Sequence, residues 1–216
     1  MTLEGTNTFV VGERPVYVID PGPADDGHLA AIHAEADRRG GIKGVVLTHS
    51  HLDHSEGVDA LGAPVLAGEG ADPFETIPTP GHAPDHVCLL LGDVLFSGDL
   101  ILGEGSSYVP PDGGSLVAYL ESLRRVAELD LELIAPGHGP WITDPAAKIT
   151  EYIEHRLDRE RKLVDALESG ERSRAALLDA AWDDVPPELR PAAAQVMQAH
   201  LEKLETEGRL AADLRD

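Results

Sequence analysis

Short apolar runs alternate with polar or glycine-rich segments over the first two thirds of the chain, and the apolar spacing turns helical after that. Thr8 to Val11 and Val16 to Ile19 predict two strands around the turn Gly12-Glu13-Arg14-Pro15, the second ending in Asp20-Pro21-Gly22. From Asp25 through Arg39, Leu29, Ile32 and Ala36 share one face, acidic residues open the segment and Gly40-Gly41 stops it, which predicts a surface helix. His28 and His33 within it read as solvent-facing. Val45 to Leu47 and Pro64-Val65-Leu66 predict further strands, and Gly68 to Glu75 reads as loop. Val87 to Leu91 and Val94 to Phe96 flank Gly92-Asp93 as a hairpin. After a loop rich in Gly, Ser and Pro, Ser115 opens a helix with Leu116, Leu120, Leu123 and Ala127 on one face, and Leu131 to Ala135 predicts a strand.

Beyond Trp141 only helices are expected. Asp144-Pro145 opens one running to about Glu168, Ser173 caps a second, and Pro186-Pro187 introduces a third from Glu188 to about Glu207. A glycine turn at Glu207-Gly208-Arg209-Leu210 and a short apolar tail complete a small helical or winged-helix-like appendage. The expected division is a larger α/β domain over 1–144 and a C-terminal domain over 145–216.

The strand ends carry the chemistry. Asp20, His49, His82, Asp99 and His138 each stand just past the C-terminal end of an apolar run, and glycines sit beside His82, Asp99 and His138. In layered α/β domains the loops beyond strand ends line the ligand crevice, so these segments are expected to converge on one site. The densest of them is Thr48-His49-Ser50-His51-Leu52-Asp53-His54, three imidazoles and a carboxylate in six positions directly after Val45-Val46-Leu47. Imidazole and carboxylate at that spacing suit a divalent metal ion. A purification tag would sit at a terminus and would not follow a strand.

Composition narrows the function. The 216 residues suffice for one well-buried domain with an appendage, and no long apolar span or signal-like start is present, so a soluble cytoplasmic protein without membrane contact is expected. The formal net charge of -22 repels polyanions, and 4% aromatic residues leave few stacking platforms for bases. Acidic side chains outnumber basic ones from Glu171 onward, with Glu188, Glu202, Glu205 and Glu207 on the third helix. That helix suits dimer contacts or a wall of the active site better than a DNA groove. The lone cysteine, Cys88, lies within Val87-Cys88-Leu89-Leu90-Leu91 and reads as a small core residue.

An Asp at a strand end, the H-x-H-x-D-H turn and later isolated His, Asp and His residues resemble the metallo-β-lactamase superfamily. Gly5-Thr6-Asn7-Thr8, Pro136-Gly137-His138-Gly139-Pro140 and the run Ala147-Lys148-Ile149 with Tyr152-Ile153 and His155-Arg156 resemble its β-lactamase-like protein 2 branch, which carries a C-terminal winged-helix domain. The resemblance implies an α/β fold, a four-layer αβ/βα sandwich with two zinc ions at the rim between its sheets. It implies that His49, His51 and His82 hold the first ion and Asp53, His54 and His138 the second. Asp99 would bridge the pair, and Asp20 would orient ligands from behind. Three protein ligands per metal leave a position open for water, as catalytic sites do. Histidine at position 51, where the superfamily's di-iron redox members carry glutamate, favours hydrolytic zinc, with iron and manganese also compatible. A hydroxide shared by metals about 3.5 to 4 Å apart would then attack a carbonyl or phosphoryl centre, with Asp53 or a metal-bound water as proton carrier.

Three functions fit that site. A small-molecule substrate, an ester, thioester, lactone or lactam, is placed first. A phosphodiesterase acting on single-stranded RNA follows from the branch resemblance and is disfavoured by the acidity. A non-catalytic metal-binding or interaction module is weakest, because every expected ligand is present. Two departures from relatives stand out: the chain begins four residues before Gly5, where relatives carry one or two further strands, and the interval from His54 to His82 is short by about a hairpin. Both would open the site and thin one sheet edge, leaving room for a homodimer or a mobile rim. No β-lactam carboxylate anchor and no basic glutathione-binding cluster is identifiable.

Overall fold

The computed structural model describes residues 5–210 and Leu214. Contacts divide the chain into two compact units: residues up to 79, 85–107 and 129–146 form one, and residues 80–84, 108–128 and from 147 onward form the other.

The first unit holds two four-stranded sheets. In one, β1 (Phe9–Val11) pairs antiparallel with β2 (Val16–Ile19), which runs parallel to β3 (Ile42–Val46), and β3 runs parallel to β4 (Val65–Leu66). In the other, β5 (Glu75–Pro78), β6 (Val87–Leu91) and β7 (Val94–Gly98) are successively antiparallel, and β8 (Leu133–Pro136) returns parallel to β7. Strand alternation explains how they pack. Tyr17, Ile19 and Val46 point from the first sheet into a core shared with Leu89, Phe96 and Ala135 of the second. Val18 and Val45 point the other way, onto Leu29 and Ile32 of α1 (Asp26–Arg38). Both faces of β2 are therefore covered, which is why Val16 to Ile19 is apolar throughout rather than alternating. The Asp25 carboxylate caps α1 by accepting the His28 N–H. A single helical turn, α2 (Leu52–Ser55), follows β3.

The second unit is helical. Ser115 caps α3 (Leu116–Ala127), which packs against α6 (Arg190–Thr206). With α4 (Pro145–Glu168) and α5 (Arg174–Ala181), α6 encloses a core of Leu163, Leu177, Trp182, Met197, Leu201 and Leu204. The buried Arg159 guanidinium is satisfied by the Ala181 carbonyl at 2.6 Å and by Asp184, and the Arg156 guanidinium lies over the Tyr119 ring. The expected third helix opens as a 3-10 turn at Pro187–Leu189 before α6. The apolar tail expected after Leu210 lies outside the described residues apart from Leu214, which packs on that core. Among the described residues no helix is long and apolar enough to cross a membrane.

Two expectations are corrected. Gly68 to Glu75 is not all loop: a 3-10 turn covers Gly68–Ala71 and Glu75 begins β5. Only Ile77 of that strand is buried and Pro78 ends it, so its apolar signal is weak; an edge position tolerates the missing proline N–H. His28 and His33 are half-buried rather than solvated: His28 Nε2 lies 3.0 Å from the Pro21 carbonyl and 2.9 Å from Thr8 Oγ1, and His33 Nε2 lies 3.3 Å from the Ala60 carbonyl.

Cys88 is fully buried, and burial pushes its thiol up to about 12. The native chain should react with a thiol-specific disulfide reagent at pH 8 at least ~100-fold more slowly than the chain in denaturant, since the thiolate is the nucleophile. Equal rates would show that the β6 region opens readily.

Candidate metal centre

Parallel pairing builds the site. Ile19 lies level with Val46, and Gly98 level with Pro136, so residues following each parallel pair leave at a common edge. Asp20 follows β2, Thr48 to His54 follow β3, Asp99 follows β7 and His138 follows β8. The chain turns at once after Ile19, with Asp20 in the left-handed region at φ 48 and its N–H on the Val46 carbonyl. Aspartate is among the side chains that tolerate that conformation.

The turn delivers a buried carboxylate. Asp20 Oδ1 accepts the Thr48 N–H at 2.8 Å, and Oδ2 accepts the Thr48 hydroxyl at 2.6 Å and His54 Nδ1–H at 2.9 Å. With its proton on Asp20, Thr48 Oγ1 is left to accept His49 Nδ1–H at 3.0 Å. His138 Nδ1–H is taken by the Gly5 carbonyl at 2.8 Å. His82, in the turn that groups with the second unit, has its Nδ1–H on the Tyr108 carbonyl at 2.6 Å. Each of these four imidazoles is thus held in the tautomer that leaves the Nε2 lone pair for a metal.

In the first unit those lone pairs meet. His49 Nε2 lies 2.9 Å from His51 Nδ1, and His54 Nε2 lies 3.3 Å from His138 Nε2. Asp99 Oδ1 is 3.4 Å from His54 Nε2 and 3.3 Å from His138 Nε2, and Asp53 Oδ2 is 3.5 Å from His138 Nε2. His49, His54 and Asp99 form one group with ligand atoms inside 4.8 Å of one another, and Asp53, His54 and His138 form another. Nitrogen lone pairs this close repel unless a cation lies between them, and protons can also fill that role. Burial opposes charge on His54, yet the carboxylates of Asp20 and Asp99 hold it up at about 10; Asp53 and Asp99 likewise overcome burial to hold His138 at about 9. Burial would raise Asp99, but His138 and His54 outweigh it and keep the carboxyl well below the ordinary range, and Asp53 is lowered chiefly by His138. The donor set therefore demands positive charge and fits divalent metal. His51 is exposed and Asp53 is one-third exposed, so the group opens to solvent on that side.

Two supporting residues lie outside the sequence reading. Thr48 relays Asp20 to His49. Asn7 clamps the loop that carries His138: its N–H donates to the Gly137 carbonyl at 2.7 Å, and its amide donates to the Pro136 and Gly139 carbonyls at 2.9 and 2.8 Å. The motif Gly5-Thr6-Asn7-Thr8 marks the place but not the role. A side chain at Gly137 would stand 2.8 Å from the His54 ring and 3.0 Å from Asp99 Oδ1, so only glycine lets that loop pass.

Comparison with known proteins agrees with this geometry. The metallo-beta-lactamase superfamily matches residues 1–64 and 60–138, and the beta-lactamase associated winged helix domain matches residues 173–214. A beta-lactamase-like protein 2 homolog of Drosophila melanogaster is 31% identical over 97% of this chain and 85% of its own length. An atrochrysone carboxyl ACP thioesterase of Aspergillus chevalieri is 34% identical over 80% of this chain and 64% of its own length. A metallo-beta-lactamase family protein from Thermus thermophilus has the same fold, with a TM-score of 0.75 over 94% of this chain and 89% of that one at 23% identity. The chain belongs to the metallo-beta-lactamase superfamily and carries that family's associated winged helix domain at its C-terminal end.

Proposed function

We propose that this enzyme of the metallo-beta-lactamase superfamily is a binuclear zinc hydrolase that cleaves small acyl thioesters. The observation that carries the reading is the set of imidazoles whose Nδ1–H groups are all engaged, with their remaining lone pairs turned toward ionised Asp53 and Asp99. His49, His51, Asp53, His54, Asp99 and His138 would hold the metal. Bound there, zinc supplies Lewis acidity toward a carbonyl oxygen and lowers the pKa of water.

The chain's own groups supply the rest. Asp20 and Thr48 keep His49 and His54 oriented, so the ligands need little reorganisation when charge develops. Asp53, held below the usual carboxylate range and one-third exposed, would take a proton from the attacking water at its carboxylate and pass it to the leaving sulfur. The acyl carbon gains the water oxygen, the carbon–sulfur bond breaks, and a carboxylic acid and a thiol result.

The relative named as an acyl-carrier thioesterase supports thioester chemistry. The net charge of -22 opposes a polyanion overall, which favours a small acyl substrate over RNA. The exposed Leu52, between His51 and Asp53, offers an apolar contact beside the open side of the site.

Zinc-loaded protein should turn over an acyl thioester reporter, with little hydrolysis of bis-nitrophenyl phosphate or a short single-stranded RNA. RNA cleavage without acyl turnover would replace this reading with a phosphodiesterase, and no turnover at two zinc per chain would leave a binding module. His49→Ala and Asp53→Ala should each lose at least ~100-fold in kcat while retaining the native circular dichroism spectrum. Asp20→Asn should weaken zinc binding by roughly 10- to 100-fold, since it acts on His54 and Thr48 rather than on the substrate; unchanged zinc affinity in a calorimetric titration would remove its assigned part.

A further inference from the structure

We infer that His86 is a positioning residue, a neutral imidazole that fixes the backbone of Asp99 through a one-way chain of hydrogen bonds; the inference deepens the metal-site reading above and rests on it for its effect on metal binding.

The observation begins with a donor that cannot reverse. The Asp99 backbone N–H points at His86 Nε2, with 3.1 Å between the nitrogens. A backbone amide only donates, so Nε2 must carry its lone pair and the ring proton must sit on Nδ1. Nδ1 lies 2.9 Å from Thr79 Oγ1 and donates to it. The Thr79 hydroxyl is left to give its own proton to Cys88 Sγ at 3.4 Å, and the Cys88 thiol donates to the Ser97 carbonyl at 3.7 Å. Between the Asp99 N–H and the Ser97 carbonyl, His86, Thr79 and Cys88 each accept one hydrogen bond and give one. The chain starts at Asp99 and ends at Ser97, two residues earlier on the same strand end. His86, Thr79, Cys88 and Ser97 are all at most 1% exposed, so water does not compete for these bonds.

The fold makes room for this contact. Gly98 lies between the two ends at φ +47, and a side chain there would stand 2.8 Å from His86 Nε2 and 2.6 Å from Thr48 Oγ1. The Thr79 N–H on the His86 carbonyl and the Val87 N–H on the Thr48 carbonyl tie the same segment to both neighbours. The His86 ring stands 5.1 Å from that of His49 and belongs to none of the candidate ligand groups, and its bond from the Asp99 N–H ties it to one of them. An Asp99 backbone held at its N–H has its carboxylate aimed before any cation arrives.

The first test uses the metal-free chain. Nitrogen NMR of protein with 15N-labelled histidine should show His86 with a pyridine-type Nε2 and a protonated Nδ1; a protonated Nε2 would overturn the inference whatever the chain does with metal. The second reads metal binding by calorimetry with Zn2+ and by the visible spectrum with Co2+. His86→Phe, which keeps the bulk and removes the acceptor, should weaken binding of at least one ion by roughly 10- to 100-fold. His86→Gln, whose side-chain carbonyl can accept the Asp99 N–H, should recover most of that loss, which a merely space-filling role would not allow. Thr79→Val frees the ring to turn and should weaken binding about tenfold, and it carries the test if His86→Phe does not fold. Wild-type affinity and Co2+ spectrum in Thr79→Val together with either His86→Phe or an unrescued His86→Gln would sink the assignment. A wild-type chain that binds neither ion would instead sink the metal-site reading and leave the tautomer result standing.

Discussion

The site depends on a buried carboxylate that has no freedom to move. Asp20 is 2% exposed, sits at a backbone conformation few side chains accept, and receives three hydrogen bonds, two from Thr48 and one from His54. Burying an ion costs several kcal/mol unless donors surround it, and here the donors come from the metal-binding turn itself. The carboxylate is thereby satisfied only when Thr48 and His54 are in place, and they are in place only when β2 and β3 pair in register. Strand pairing and ligand orientation are one event.

The same logic repeats around other candidate imidazoles with partners that differ in kind. His138 is oriented by the Gly5 carbonyl, His82 by the Tyr108 carbonyl, and Asn7 holds the loop between β8 and His138. Backbone carbonyls cost no side-chain entropy to hold still, so they serve well as orienters wherever a loop is already anchored. Carboxylate enters where charge is needed as well as direction. Asp20, Asp53 and Asp99 leave the group short of positive charge, and the raised His54 and His138 show how strongly the surroundings call for it.

Much of this is legible along the chain, for a definite reason. Parallel strands must end at one edge, so Asp20 and His49, and likewise Asp99 and His138, each close behind an apolar run, approach one another once β2 and β3, and β7 and β8, run parallel, and the core shared by the two sheets brings the two pairs together. The ligand types announce themselves by spacing. What cannot be read are contacts that run through the backbone: nothing in the letters of Gly5 or Tyr108 says that their carbonyls take an imidazole proton. The edge strand β5 escapes notice because it buries a single residue, and His28 reads as solvated because its partners, Pro21 and Thr8, lie across a turn rather than on its own helix. Helix α3 lies within the first 144 residues, yet packs with helices that follow them, since it buries Tyr119, Leu120, Leu123 and Val126 among neighbours that sequence order does not reveal.

Charge bears on substrate choice through distance. At physiological ionic strength, surface charges are screened beyond about 8 Å, so acidity beyond that distance does little to a molecule already seated at the candidate centre. It acts on what must lie along the surface to be seated at all. Under the proposed reading, a small thioester would reach the open side at His51 and Asp53 without tracing that surface, whereas each further nucleotide of an RNA strand would add a phosphate to a surface on which acidic side chains far outnumber basic ones. Metal held at this centre would offset a single scissile phosphate, but not its neighbours. The constraint that separates the two substrates is therefore not the reacting bond, which this ligand set could polarise in either case, but the length of chain attached to it.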